Sequence, residues 1–324
     1  MRYKQMMLIS LLTALSILLF SKWCHPNSSQ QTAPSSSGAA NSAADSGTHQ
    51  ERDGPQVVWE HLRFDNRIIP LTGEIDIGNR YLSTVLLVVE TNSGGTKRCS
   101  GVIIDRSLVL TAGHCVCSGR RLVTSGGEHS ILDTSVCADV ATVETVFYIS
   151  QGDSSYSGAR RDVYTGAVRV HPHFKIVLDK QGQLMSSVAD LAVVHLRRPL
   201  KEELHAVSLA DTPVQIDESV VIAGYGYDEI SNIYDDDRRF SRNRVLQFSQ
   251  ASAEVALVEQ PGQHPYRADS GGPCLREGPT GVVLVGISTR SLGSGATFMS
   301  THAYNGWIED EIQFQRKASK LIPD

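Results

Sequence analysis

Tyr-Arg-Ala-Asp-Ser-Gly-Gly-Pro-Cys, residues Tyr266 to Cys274, is the stretch on which the reading of this chain turns. A serine stands between an aspartate and two glycines, and a proline closes the turn. Gly271 and Gly272 let a backbone approach closely, so the Ser270 hydroxyl is carried on a tight loop. Serine is a weak nucleophile by itself. It needs a general base, a third group to orient that base, and backbone N–H donors aimed at the charge that develops on the substrate.

Two other stretches supply such partners. Thr-Ala-Gly-His-Cys (Thr111 to Cys115) follows the apolar run Gly101 to Leu110 and puts His114 where a strand ends in a small-residue turn. Ala-Asp-Leu-Ala-Val-Val-His-Leu (Ala189 to Leu196) sets Asp190 at the head of a β-branched run that is expected to be buried. A carboxylate there must be paired or hydrogen-bonded, because burying it alone costs several kcal/mol, on the order of a buried ion's desolvation. His114 is its natural partner.

These blocks resemble the three catalytic blocks of the trypsin/chymotrypsin serine endopeptidases, in the family's order His, Asp, Ser, and the chain looks like a bacterial-type exported member. The likeness extends to Cys-Ser-Gly-Val-Ile-Ile (Cys99 to Ile104), Val-Ile-Ala-Gly-Tyr-Gly (Val221 to Gly226), Asn243 to Gln247 and Tyr304 to Ile312, covering about Ile68 to Gln315. It implies an all-β fold of two packed six-stranded antiparallel β-barrels with a C-terminal α-helix, and hydrolysis of peptide bonds. Ser270 would be the nucleophile, His114 the base and Asp190 its orienting acid, with the N–H groups of Ala268 and Ser270 as the oxyanion hole. Glycine is usual in the family at the position of Ala268. If that position requires a positive φ, alanine strains it by about 1 kcal/mol or more. By position, His264 falls at the base of the primary specificity pocket, Ala296 on its wall, and Thr289, Arg290 and Ser291 on the strand that pairs with substrate. No aspartate stands at the pocket's base, so cleavage after Lys or Arg is not implied.

The resemblance also bears on activation. Family zymogens are cut after a basic residue, and the new apolar N-terminus pairs with the aspartate before the serine. Here these would be Arg67, Ile68 and Asp269. Ile-Ile-Pro-Leu departs from the family's Ile-Val-Gly-Gly, and Pro70 stiffens the segment. A plain strand beginning at Ile68 is the other reading. Cys99 and Cys115 match the family bridge that ties the strand before the histidine to the turn after it, worth roughly 3 kcal/mol in a chain-entropy model.

The chain has 324 residues, 20% charged, with net charge −5, the balance of an ordinary globular protein and not of a nucleic-acid binder. Residues 1–24 read as a signal peptide or membrane anchor. The uncharged run Met6 to Phe20 is shorter than the ~20 residues a bilayer needs and suits a secretory signal. Cys24 leaves lipidation open. Residues 25–56, rich in Ser, Ala and Gly, read as a linker or pro-segment with too little apolar surface to order itself. Residues 57–324 fit one protease domain. A secreted, periplasmic or cell-surface location follows, with membrane contact only if the N-terminal segment is retained or Cys24 carries lipid.

In an exported chain cysteines are expected to be bridged. Cys117 and Cys137 flank an insertion and are expected to pair, which leaves Cys274 as a small buried thiol. A zinc set of His114, Cys115, Cys117 and Cys137 is poorly served by adjacent ligands. No metal and no cofactor is expected, the substrates are proteins or peptides, and the chain is read as a monomer. In the resembling family a His-Pro pair often begins a surface loop, so the resemblance implies that His171 and His173 lie there and are not metal ligands. Two further expectations come from local composition and periodicity. Asp235 to Asp237 form a solvated charge run, in a loop where Arg238-Arg239 offers a self-cleavage site. The helix Asn305 to Lys317 packs on the second barrel.

Overall fold

The computed structural model describes residues 61–64, 67–70, 73–91, 95–124, 127–150, 156–226, 236–249, 253–258, 269–279, 281–289 and 297–321. All of them fall in one compact unit, Val57–Asp324. Three short strands lead in: β1 (His61–Phe64), β2 (Arg67–Pro70) and β3 (Glu74–Ile75). Then come β4 (Thr84–Glu90), β5 (Thr96–Asp105), β6 (Leu108–Thr111), the single turn α1 (Gly113–Val116), β7 (Cys117–Thr124), β8 (Gly127–Cys137), β9 (Val140–Ser150), β10 (Tyr156–Val170), β11 (Lys175–Leu178), β12 (Leu184–Val188) and β13 (Ala192–Leu196). The second half carries β14 (Ser208–Leu209), β15 (Ser219–Gly224), β16 (Arg239–Phe248), β17 (Glu254–Val258), β18 (Pro273–Gly278), β19 (Gly281–Ser288), β20 (Thr297–Ser300) and the helix α2 (Asn305–Leu321).

The first barrel closes in the order β10-β13-β6-β5-β4-β9. Its strands are β-branched and apolar, as Thr-Val-Leu-Leu-Val-Val in β4 and Ala-Val-Val-His-Leu in β13, and their side chains fill the interior. In the second half the order β19-β18-β15-β16-β17-β20 returns to its start because β20 also pairs with β19, opposing Gly286 to Ser300. Gly286 leaves the space that the Phe298 ring occupies, so a side chain there would collide with it. The two six-stranded barrels and the terminal helix are therefore present. Closure leaves neither barrel with an open edge.

Between His114 and Asp190 the chain builds something that composition had shown only as a polar insertion. β7, β8, β11 and β12 form a separate four-stranded antiparallel sheet in the order β12-β11-β8-β7. The Cys117–Cys137 disulfide joins its first strand to the end of its second. Leu132, Ile176 and Leu178 turn from this sheet into the apolar core of the first barrel.

Two expectations are corrected. The helix α2 packs on the first barrel, not the second. Ile308 and Ile312 are buried, the ring of His195 on β13 lies between Gln315 (2.6 Å) and Glu311 (3.1 Å), and Arg316 reaches Asp105 on β5 at 2.8 Å. The amphipathic pattern identified a buried face but could not say which barrel would bury it. The second correction concerns Arg238, which is fully buried and no cleavage site. Its Nε donates to Asp76 Oδ2 at 2.8 Å, one terminal nitrogen to Val146 O at 2.7 Å and the other to Asn79 Oδ1 at 3.1 Å, while the guanidinium lies over the Tyr148 ring. Asp76 in turn accepts from the backbone N–H groups of Arg80 and Tyr81. Nor are the neighbouring acids a free charge run, since Asp236 pairs with Arg98 and Asp237 accepts from the Tyr148 hydroxyl at 3.1 Å. Asp235 lies outside the described residues.

Removing one member of a buried ion pair strands the other without solvent, at a cost of about 3–5 kcal/mol. Arg238→Ala and Asp76→Ala are each expected to lower unfolding stability by about that amount, read as a shift of the urea midpoint at constant slope. An Arg238→Ala chain with the wild-type midpoint would contradict it.

Candidate active site

Strand β6 ends at Thr111, and Ala112 leads in extended conformation into the single turn that carries His114. The His114 backbone N–H donates to Asp190 Oδ1 at 2.8 Å, and its ring Nδ1 lies 2.6 Å from Asp190 Oδ2. Asp190 is 1% exposed, so both carboxylate oxygens need donors, and one residue supplies them. An Nδ1–H directed at a carboxylate leaves Nε2 of the neutral ring with its lone pair free to accept a proton.

The loop before β13 is itself constrained. Ala189 has φ of 48°, a left-handed conformation uncommon for a residue with a side chain. Its N–H donates to the Tyr304 hydroxyl at 3.1 Å, at the threshold of α2. The helix thus grips the residue next to Asp190. The same tyrosine and Trp307 cover His171, with ring centroids 5.2 and 4.9 Å away, which corrects the surface-loop reading of that histidine. His171 is buried while His173 is exposed.

Ser270 stands on a turn held against the first barrel. Its carbonyl oxygen accepts from the Ser100 N–H at 2.8 Å, the Gly271 N–H donates to Ser288 O at 2.7 Å, and the Gly272 N–H donates to Asp269 O at 2.8 Å. Gly271 has φ of 83°, and a Cβ there would collide with Thr111 Oγ1 and Ser100 O. Only glycine satisfies both the conformation and the close approach. Thr111 ends the strand that leads into the histidine turn, and its hydroxyl donates to Ser100 O at 2.8 Å. Cys115 Sγ lies 3.5 Å from Ser270 O and 4.0 Å from His114 Nε2, so the serine's backbone and the imidazole both reach one sulfur.

That sulfur is in the Cys99–Cys115 disulfide. Cys99, His114 and Cys115 have ligand atoms close enough to cradle a metal ion, but the two sulfurs are spent on each other and offer no thiolate. Cys274 is a free, fully buried thiol whose pKa burial pushes well up, which makes it inert.

Asp269 lies against Gly224 and Gly226, where side chains would strike its carboxylate. A crevice beside it is lined by Gly73, Ile222, Gly226, Arg239, Phe240, Ser241 and Asp269. Arg67 and Ile68 lie in β2, which pairs with β1 as a hairpin, Arg67 opposite Phe64 and Ile68 opposite Arg63. Thr289 is buried, with its N–H bonded to Thr297 O at 3.1 Å. His264, Ala268, Arg290, Ser291 and Ala296 lie outside the described residues. Sequence reasoning missed Ala189, Tyr304 and Lys97. The last donates through Nζ to the carbonyl oxygens of His114 (3.1 Å) and Cys117 (2.5 Å). Among these only Lys97 left a trace in the sequence, as a lysine two residues before a bridged cysteine on a strand.

Two closed barrels, a terminal helix and a histidine–aspartate pair beside a Ser-Gly-Gly turn define a protein of the two-barrel serine-protease class. The chain belongs to the trypsin family, whose model, described as Trypsin, matches residues 79–308. Phenoloxidase-activating enzyme 1 of Spodoptera litura is 23% identical over 252 residues, 70% of this chain and 62% of that protein, so the match leaves over a third of that relative unspanned. Lectizyme of Glossina austeni is 25% identical over 243 residues, 70% of this chain and 81% of its own. Among solved structures, a scabies mite inactivated protease paralogue, S-I1, superimposes with a TM-score of 0.53 at 20% identity, covering 75% of this chain and 99% of that one. GrC gives 0.52 at 16% identity, covering 74% and 98%. At such identities the structures speak to the fold alone.

Burial under Tyr304 and Trp307, and next the neighbouring His173, push the His171 pKa down to about 4. In the unfolded chain the same group titrates near 6.5. Between these values the unfolded state binds a proton that the folded state refuses, so stability is full above pH 6.5 and is lost progressively as pH falls toward 4. Urea midpoints measured between pH 7 and pH 4.5 should fall, and His171→Gln should flatten that fall even where it lowers the midpoint at pH 7. An unchanged slope in the variant would count against this.

Proposed function

We propose that this chain is an exported serine endopeptidase acting through an acyl-enzyme intermediate. Ser270 Oγ attacks the scissile carbonyl carbon. His114 Nε2 accepts the hydroxyl proton and returns it to the leaving amine. Asp190 holds the tautomer with hydrogen on Nδ1 and stabilises the imidazolium, and the N–H groups of Ser270 and Ala268 receive the oxyanion. Water then cleaves the ester by the same route. The observation that carries this reading is the double grip of Asp190 on His114, backbone and ring together, beside a serine turn that only glycine at 271 allows.

Protein or peptide substrates would lie along Thr289, Arg290 and Ser291, with Ala296 and His264 at the primary pocket, and the enzyme would work as a monomer without a cofactor. Two disulfides support an oxidising, extracytoplasmic location. Among the described residues no helix is long and apolar enough to cross a membrane. For activation, cleavage after Arg67 would free the Ile68 ammonium to pair with Asp269. Gly73, five residues beyond Ile68, already lines the crevice at Asp269, and five extended residues reach about 17 Å.

A second reading, a catalytically weak homologue that binds peptides in the same cleft, is favoured by Ala268 at an oxyanion-hole position and by the altered activation segment Ile-Ile-Pro-Leu. A fluorophosphonate probe separates the two. We expect mature protein to be labelled at Ser270, and Ser270→Ala to lose label and ~10⁶-fold in turnover. Mature protein that takes no label favours the binding module. Active material is expected to begin at Ile68, with Arg67→Gln inactive; full activity of that variant would remove the activation step.

A further inference from the structure

We propose that Lys97 is a positioning residue for the His114–Asp190 pair, its ammonium fixing the histidine turn through that turn's own carbonyl oxygens and weakening the imidazole's hold on its proton. The proposal deepens the peptidase reading and rests on it for its catalytic meaning.

Lys97 lies on β5, opposite Val89 of β4. Alternate residues of a strand share a face, so Lys97 and Cys99 project from β5 on the same side. Both reach the turn that carries His114. Cys99 does so covalently, through Cys115, and Lys97 by hydrogen bonds to His114 O at 3.1 Å and Cys117 O at 2.5 Å. These carbonyls lie in and just beyond α1, where a one-turn helix has no following turn to satisfy them. The two tethers divide the work. The disulfide fixes the position of the turn, and the lysine fixes the orientation of the peptide that follows the histidine.

A neutral donor would satisfy those oxygens at lower cost. Lys97 is instead half-buried in a crevice with Val89, Val116, Val136, Cys137 and Ala138 along its walls, and desolvation pulls its pKa down while the Asp190 carboxylate works against that pull. A cation kept there acts on the pair electrostatically. It favours Asp190 as the carboxylate and disfavours a second positive charge on the ring. Among the described residues, the other charged group lining the crevice is Glu90, from β4, which is exposed and screened by water.

The test needs no turnover. In the full chain carrying Ser270→Ala, the His114 ring is titrated by NMR with Lys97 intact and as Lys97→Gln and Lys97→Arg. Lys97→Gln is expected to raise the His114 pKa by on the order of half a unit or more, and Lys97→Arg to return it toward the value found with lysine. Equal His114 pKa values with Lys97 intact and in the Lys97→Gln variant would overturn the proposal, because a purely structural tether would alter stability and leave the titration in place. Should Lys97→Gln not fold, the carbon next to Nζ in the chain with Lys97 intact is followed instead. Its signal is expected to step at the His114 midpoint, and a featureless curve there overturns the proposal. With Ser270 restored, Lys97→Gln is expected to lower kcat with KM little changed and to move the acid limb of kcat/KM upward. Failure of the wild type to label with fluorophosphonate would remove the peptidase reading but leave the titration to decide Lys97.

Discussion

Ser100, with no exposed surface, uses each of its polar atoms on a different part of the site. Its N–H donates to Ser270 O at 2.8 Å, its carbonyl accepts from Thr111 Oγ1 at 2.8 Å, and its hydroxyl accepts from the Tyr225 N–H at 2.9 Å. A buried polar group left unpaired costs roughly 1–3 kcal/mol, so the three bonds resist being traded away. Through them the serine turn, the strand that runs into His114 and the segment after β15 meet at one residue. The arrangement requires Gly271 to lack a side chain, since the serine turn could not otherwise approach the first barrel so closely. Placement of the Ser270 turn against the His114 turn is thus a property of the seam between barrels more than of either loop.

His114 has several restraints of its own. Its turn is tied by the Cys99–Cys115 bridge, by Lys97 and by Asp190, and the loop of Asp190 is in turn held by Tyr304. The four-stranded sheet begins at Cys117, three residues after His114, and ends at Val188, two residues before Asp190. Its ends therefore abut both members of the pair. The helix adds the rest of the grip. Ile308 and Ile312 are buried on the first barrel, each worth about 1.5–3 kcal/mol, and that burial keeps Tyr304 over Ala189. His171 sits in the same contact, which makes one grip on the acid loop sensitive to protonation.

What the sequence made legible were constraints written locally. Paired glycines after a serine, a small-residue turn after an apolar run and a carboxylate at the head of a β-branched strand each announce their need within a few residues. Arg238 announces nothing of the kind. It stands in a run of acids and arginines that reads as solvated surface, and its partner Asp76 is 162 residues away. The insertion after His114, rich in Gly, Ser and Asp, concealed four strands because two of them pair across a gap of more than forty residues. The helix showed a buried face, but the barrel that buries it is chosen by residues such as Asp105 and His195 that no periodicity connects to it.

The proposed activation step would need little new structure around Asp269. In the uncleaved chain Arg67 closes the β1–β2 hairpin opposite Phe64, and four residue pairs hold it. An isolated two-stranded ribbon of that size is marginal in water. Its partners stay together largely because the short chain connection keeps their effective concentration high. A cut after Arg67 falls within β2, between the residues opposite Phe64 and Arg63, so it would sever Ile68 from that connection and create the ammonium in the same event. Ile68 would then be free to leave Arg63, while Gly73 stays anchored beside the Asp269 crevice and β3 stays paired with β16. The energy for the move would come from the attraction between the new ammonium and a buried carboxylate, set against the loss of a hairpin of four residue pairs.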